Sequence, residues 1–121
     1  MQILADSFKV VDIDKEGKLY TKVSRLYMES PKISISLDYN TTLCRLQVGH
    51  AVEVRIFRGI HENIDCFYLA YGRVYSLERK GPRTIVRVSL GGLLLIIDAP
   101  EEVTRGLGDK DDISLALTFV L

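Results

Sequence analysis

The run Leu90 to Asp98, L-G-G-L-L-L-I-I-D, narrows the folds open to this chain more than any other stretch. It is the most apolar part of the sequence and carries no charge before Asp98. Leu93 to Ile97 are too few for a comfortable helix. Gly91 and Gly92 interrupt any helix entering from the N-terminal side, and Asp98, Ala99 and Pro100 close the other end. The run reads as a buried strand, in which each large side chain contributes roughly 1.5–3 kcal/mol if fully buried. Two adjacent glycines at the mouth of a strand cost about 0.5–1 kcal/mol each relative to alanine. Such a cost implies either a sharp backbone bend or a neighbouring backbone too close for a Cβ.

The rest of the chain repeats the strand signal at short intervals. Phe8 to Ile13 reads as a strand, followed by a turn at Asp14-Lys15-Glu16-Gly17. Leu19 to Met28 reads as a long, twisted strand that changes the face it buries, because neither parity is cleanly apolar, and Pro31 ends it. Lys32 to Asp38 alternates strictly, with Ile33, Ile35 and Leu37 inward. Val48-Gly49-His50 turns the chain, and Val52, Val54 and Ile56 alternate after it. Arg58 to Asp65 is a polar loop. Phe67 to Leu77 is an aromatic-rich strand interrupted by Gly72, and Arg79-Lys80-Gly81-Pro82 is a hairpin turn. Val86, Val88 and Leu90 point inward from Thr84 to Leu90. Pro100 to Arg105 has room for one helical turn with Pro100 at its start. Gly106 to Asp112 is an exposed loop, and Leu115, Leu117, Phe119 and Leu121 close the chain as a final strand. About eight strands and no long helix point to an antiparallel barrel or sandwich. A closed barrel explains how so many short strands avoid exposed edges.

With 121 residues the chain has enough length for one core, so residues 1–121 read as a single domain. A composition of 47% hydrophobic and 26% charged residues is that of a globular domain, not a disordered one. The net charge is zero, so no global field draws the chain to nucleic acid or to an anionic membrane. The charge is unevenly placed, however. Arg45 to Arg87 holds eight Lys/Arg against four Asp/Glu, and Asp98 to Asp112 holds six acids against two bases. A basic middle and an acidic C-terminal stretch are expected to help orient the protein against partners. Two cysteines, Cys44 and Cys66, fit a reduced intracellular protein better than a disulfide scaffold. The start M-Q-I-L-A-D-S-F-K lacks a basic n-region and a long apolar h-region, so no signal peptide is expected. No uncharged apolar stretch reaches membrane-spanning length.

Few residues invite chemistry. Asp12, Asp14, Glu16 and Gly17 resemble the opening of a calcium loop, but its twelfth position is Val23, where a bidentate Glu is needed, so a turn is the better reading. Cys44, His50, His61 and Cys66 are the only soft metal ligands, and no Cys-x-x-Cys pair is present. There is no G-x-S-x-G elbow and no glycine-rich phosphate loop. Gly106-Leu107-Gly108 lacks the third glycine of a dinucleotide site. One constellation supports binding. Arg55, Phe57 and Arg58, then Phe67, Tyr68, Tyr71, Arg73 and Tyr75, interleave bases with aromatics on strands. Barrels that bind oligonucleotides stack bases and hold phosphates on such surfaces. Packing in a core or against a protein partner is the competing reading, and the zero net charge favours it.

Three motifs in order carry a resemblance. Ile13-Asp14-Lys15-Glu16-Gly17-Lys18, with Val23-Ser24-Arg25-Leu26 and Glu29-Ser30 after it, is similar to the N-terminal signature of a small RNA polymerase subunit family. That subunit is the eighth in size order and is shared by eukaryotic RNA polymerases I, II and III. Tyr71-Gly72-Arg73-Val74-Tyr75 resembles the family's Y-G-x-V-Y strand, and Leu90-Gly91-Gly92-Leu93-Leu94 its [YF]-G-G-L-L strand. The resemblance implies an all-β, eight-stranded antiparallel barrel of oligonucleotide-binding type, built from two related halves. It implies a non-catalytic subunit of DNA-directed RNA polymerase that packs on the largest subunit and supports assembly and stability in the nucleus. Phosphodiester synthesis would reside in the two large subunits with their magnesium ions. Tyr71, Gly72, Leu90, Gly91, Gly92 and Leu93 are expected to build or support the surface facing the largest subunit. Arg55, Phe57, Arg58, Arg73 and Tyr75 remain the candidate nucleic-acid surface. No cofactor, metal, membrane or small-molecule substrate is expected.

The sequence departs from the family pattern in three places. The Arg58 to Asp65 loop is short where the common form carries a long acidic insertion. Leu90 replaces the aromatic that opens the G-G-L-L motif. Val120-Leu121 stands where a basic tail is usual. A trimmed chain suggests a reduced eukaryote or an archaeal relative, the latter placing it in the cytoplasm of an archaeon. Two other functions compete with the structural subunit: a free single-stranded nucleic-acid binder, and an enzyme on a barrel scaffold. The missing acid–base or nucleophile constellation argues against the enzyme, which fold alone does not exclude.

Overall fold

The computed structural model describes residues 1–18, 21–43 and 45–120. The strand start expected at Leu19, together with Tyr20, the thiol of Cys44 and the chain end at Leu121, lies outside the described residues. In chain order the elements are β1 (Gln2–Ile13), β2 (Val23–Glu29), β3 (Ser34–Asn40), β4 (Ala51–Arg58), β5 (Tyr68–Lys80), β6 (Arg83–Leu90), β7 (Leu93–Pro100), the short helix α1 (Glu101–Thr104) and β8 (Asp112–Phe119). The strands close into one barrel in the order β1-β2-β3-β7-β6-β5-β8-β4, and every pair is antiparallel. This is the expected all-β, eight-stranded antiparallel barrel.

The period-2 pattern decides which side chains fill it. Ile35 and Leu37, Val52, Val54 and Ile56, Val86 and Val88, and Leu95 and Ile97 are all buried, as their alternation requires. Phe8, Val10, Leu26, Met28, Ile113, Leu115 and Leu117 are buried with them.

Several boundaries differ from the reading of the sequence: β3 runs from Ser34 to Asn40, β5 continues to Lys80 and β8 begins at Asp112. Two further differences have a local reason. β1 begins at Gln2 and not at Phe8, and a register shift between Gln2 and Leu4 hides the alternation there. β2 does not change the face it buries. It starts at Val23, after Lys22 adopts a φ of 65°, and then alternates cleanly with Ser24, Leu26 and Met28 inside.

The barrel is two copies of one motif. In β4-β1-β2-β3, and again in β8-β5-β6-β7, the fourth strand returns to lie beside the first, the Greek-key order. The registers repeat as well. β1 carries a shift between Val10 and Asp12, and β5 carries one between Val74 and Ser76, leaving Val11 and Tyr75 as the bulged residues. Where the halves meet, Arg55 lies opposite Ala116 and Ser36 opposite Ile96. A two-fold axis through either pair exchanges its flanks: Val54↔Leu117 maps onto Ile56↔Leu115, and Ile35↔Ile97 onto Leu37↔Leu95.

The unequal charge distribution is largely settled inside the chain. Arg73 pairs with Asp112 (3.0 Å), Arg79 with Glu101 (3.0 Å) and Arg83 with Asp98 (2.7 Å). The basic middle therefore faces the acidic stretch directly, because β5 runs beside β8 and β6 beside β7.

Candidate partner-facing surface

The β6–β7 hairpin turns in two residues, Gly91 and Gly92, with φ of 65° and 96°. Positive φ at both central positions is the signature of a I′ turn, whose twist matches the flanking strands. The turn therefore needs residues that accept positive φ at both positions, which glycine does without steric cost. Of the two explanations offered for them, a sharp bend is the one found, since a Cβ at either position would meet nothing within 4 Å inside this chain. Leu90 and Leu93 pair across the base of the turn, with Leu90 buried and Leu93 half-buried.

The close approach belongs to Gly72 instead. A Cβ there would lie 2.5 Å from the Ser89 carbonyl oxygen, 2.6 Å from Leu90 Cδ2 and 2.9 Å from Val88 Cγ1. β5 runs unbroken through this glycine, which lets the end of β6 close down on it. Tyr71 precedes it on the outer surface, with its ring exposed and its hydroxyl donating to the His61 carbonyl at 3.1 Å. The structure thus packs Gly72 against Leu90, with the Gly91–Gly92 turn and Leu93 following directly, whereas the Tyr71 side chain reaches the other way, to the loop after β4.

The arginines and aromatics assigned to a nucleic-acid surface do not form one open face. The stretch between β4 and β5 folds back over the outside of β4, β8 and β5. Arg55 donates to the Asp65 carbonyl (2.6 Å) and pairs with Glu53 (3.3 Å). Phe57 lies 5.3 Å from the His61 ring, centroid to centroid, and Phe67 stacks on Phe119 at 4.1 Å. Arg58 donates to the Gly106 carbonyl (3.3 Å), and Arg73 is paired with Asp112. Tyr75 stands apart, exposed on its bulge.

Two side chains that organise this surface are not singled out by the sequence. Ser114 is fully buried on what should be the outer face of β8; its hydroxyl donates to the Gly59 carbonyl (2.7 Å) and accepts from the His61 amide (2.9 Å). The uncharged run Ile113 to Thr118, with small Ser114 and Ala116 between large residues, is the signal that something covers both faces of β8. Asp38 is buried beside the β6–β7 hairpin, accepts twice from Arg25 (2.6 and 3.2 Å), and takes the Leu94 amide (3.1 Å) just beyond the last β3–β7 pair. The Asp38 hydrogen bonds hold the Arg25 guanidinium in its charged form.

Asp14 serves the turn, as expected: its carboxylate takes the Arg25 amide (2.8 Å) and its carbonyl the Gly17 amide (2.9 Å). The His50 Nδ1 accepts from the Gln47 amide, and the His61 Nε2 lies 3.0 Å from the Arg58 carbonyl. Among the described residues no three His, Cys, Asp or Glu side chains are grouped to hold a metal ion. Burial pushes the Cys66 thiol up from its ordinary pKa, against the opposing charge of Arg55. A free thiol with a pKa of about 8.5 is partly ionised at pH 8, and a raised one is less so. In a Cys44→Ser chain at pH 8, Cys66 is therefore expected to react with iodoacetamide several-fold more slowly than free cysteine. An equal rate would show that the covering loop leaves the thiol exposed.

A Caenorhabditis elegans protein described as a probable DNA-directed RNA polymerases I, II, and III subunit RPABC3 is 28% identical over 117 residues, covering 77% of this chain and 79% of that protein. Among solved structures, the cytoplasmic molybdate-binding protein ModG aligns over 95% of this chain and 89% of its own, with 13% identity and a TM-score of 0.39. The family model for RNA polymerase Rpb8 matches residues 5–66, more than half of the chain, and so this barrel belongs to the RNA polymerase Rpb8 family.

Proposed function

We propose that the chain is a non-catalytic subunit of nuclear DNA-directed RNA polymerase, shared by polymerases I, II and III, that packs on the largest subunit and stabilises the assembly. The observation that carries this reading is the bare Gly91–Gly92 turn, which follows the Leu90 that packs on Gly72. Its glycines face open space, so a partner's backbone has room to approach the turn. The C. elegans relative carries the shared-subunit description in its name, which supports the same role here. In this reading the chain adds no chemistry of its own. Its described thiol is held protonated, and both imidazoles are engaged by backbone groups.

The test is affinity purification of the tagged chain from its own cells at high salt, read by mass spectrometry. Recovery of the large subunits of three polymerases is the expected result. Recovery of nucleic acid with no polymerase would sink the reading. Asn tolerates the φ of 65° at Gly91, so Gly91→Asn places a side chain on the turn while the hairpin stays folded. Recovery of the largest subunit is expected to drop at least several-fold in this variant while thermal stability stays within a few degrees. Undiminished recovery would remove the turn from the contact.

A further inference from the structure

The closed barrel still leaves part of one strand unpaired. Val10 donates to the His50 carbonyl (2.9 Å) and accepts from the Gly49 amide (2.8 Å), both on the β4 side. Backbone groups alternate between the two edges of a strand. The amides of Leu4, Asp6 and Phe8 therefore face β4, and those of Ala5, Ser7 and Lys9 face the other way, toward β2. β2 pairs with β1 only as far as Lys9↔Glu29. Beyond that point the chain leaves: Ser30 donates to the Ile33 carbonyl (2.9 Å), and Pro31 has no amide to offer. Among the described residues nothing extends the ladder along Ala5 and Ser7. The Ser7 amide is taken by the carboxylate of its own neighbour, Asp6 (2.8 Å). Alongside lies a groove of about 450 Å³, walled by Pro31, Lys32, Ile33 and Val103 opposite the β1 edge.

The geometry points to the Ala5–Ser7 edge of β1 as a docking site for an extended segment of another polymerase polypeptide, added as a strand in the place β2 vacates. The inference rests on the subunit reading for the identity of the partner. It is otherwise separate, since this edge belongs to the N-terminal half and not to the Gly91–Gly92 turn. Backbone groups on the edge would supply the affinity and the groove the side-chain selectivity. The charge at the edge selects the occupant. In the antiparallel register centred on Asp6, a second copy of this chain would bring Asp6 against Asp6, and like charges placed opposite each other are destabilising. A partner strand with a Lys or Arg facing Asp6, and an apolar side chain directed between Pro31, Ile33 and Val103, satisfies both features.

Amide hydrogen exchange tests this on the isolated chain and on the polymerase purified through it. In the isolated chain the Ala5 amide is expected to exchange far faster than those of Leu4 and Phe8, which face β4. In the assembly it is expected to slow by on the order of 100-fold, as an amide does on entering a ladder. Ser7→Pro removes an edge amide that β4 does not use, a position where proline is tolerated; Asp6→Lys reverses the selecting charge. Either variant, folded by its thermal transition, should remove the slowing at Ala5. If the chain is recovered with the polymerase while Ala5 stays unprotected, the inference is overturned and the subunit reading stands. Protection that appears in the isolated chain as its concentration rises would mean that a second copy occupies the edge, and also overturns it. Failure to recover any polymerase overturns the subunit reading and this inference with it.

Discussion

Gly72→Ala is expected to cost the barrel about 2–3 kcal/mol, the upper range for forcing an extra carbon into a packed interior. The reason is the identity of the atoms in the way. Leu90 Cδ2 and Val88 Cγ1 are side-chain ends that can shift, but the Ser89 carbonyl oxygen, 2.5 Å from the new Cβ, belongs to the strand itself. Relief requires β6 to move away from β5 at the point where Arg73 pairs with Ser89. The loss should appear as a lower urea midpoint with an unchanged slope, because the unfolded chain gains only a methyl group. Gly91→Asn is the matched control. It adds more atoms, yet an Asn-Gly pair is the preferred I′ turn and its side chain enters open space, so stability should change by less than about 0.5 kcal/mol. If the two variants were equally stable, the close packing of β6 on Gly72 would be refuted.

The second large effect is expected at Asp38. Its carboxylate neutralises Arg25 and completes the β3–β7 seam through the Leu94 amide. Removing one partner of a fully buried ion pair costs about 3–5 kcal/mol. Arg25 keeps 27% of its side chain in solvent, so the stranded charge is partly hydrated and the cost falls. Asp38→Asn leaves an amide oxygen for Leu94 and should cost about 1.5–2 kcal/mol, whereas Asp38→Ala loses that bond too and should cost about 2–3 kcal/mol. Chemical denaturation of both variants measures the difference. Equal losses would show that the Leu94 amide does not depend on the carboxylate.

The strands were legible where one face is buried and the other is wet. Ile35 and Leu37, or Val86, Val88 and Leu90, declare their orientation through strict alternation. Legibility failed where that rule is suspended. At Ile3 a register shift breaks the period, and β1 begins earlier than its pattern suggests. Along β8 the loop from Gly59 to Phe67 covers the outer face, so Ser114 and Ala116 are buried although their positions are outward. The candidate surface was legible as a set of motifs but not as a mechanism. Two kinds of glycine look alike in a sequence. Gly91 and Gly92 serve a backbone angle, and Gly72 serves a distance, which only the approach of Leu90 and Ser89 reveals. The role of Asp38 was invisible because Arg25 and Leu94 come to it from distant parts of the chain.

The two Greek keys are fastened to each other along seams of unequal length. β4 meets β8 from Val52 to Arg58, under the covering loop, but β3 meets β7 only from Ser34 to Leu37, with Asp38 bridging one further step. Of the two seams that join the halves, the shorter is the easier one to part. When it parts, both leaves stay joined through β4 and β8, and two strands with bare backbone edges face the solvent. Such edges are templates for pairing with other chains. The carboxylate that extends the shorter seam thus also keeps those edges covered, and it sits next to the Gly91–Gly92 turn, so a partner docked at that turn would reinforce the same seam.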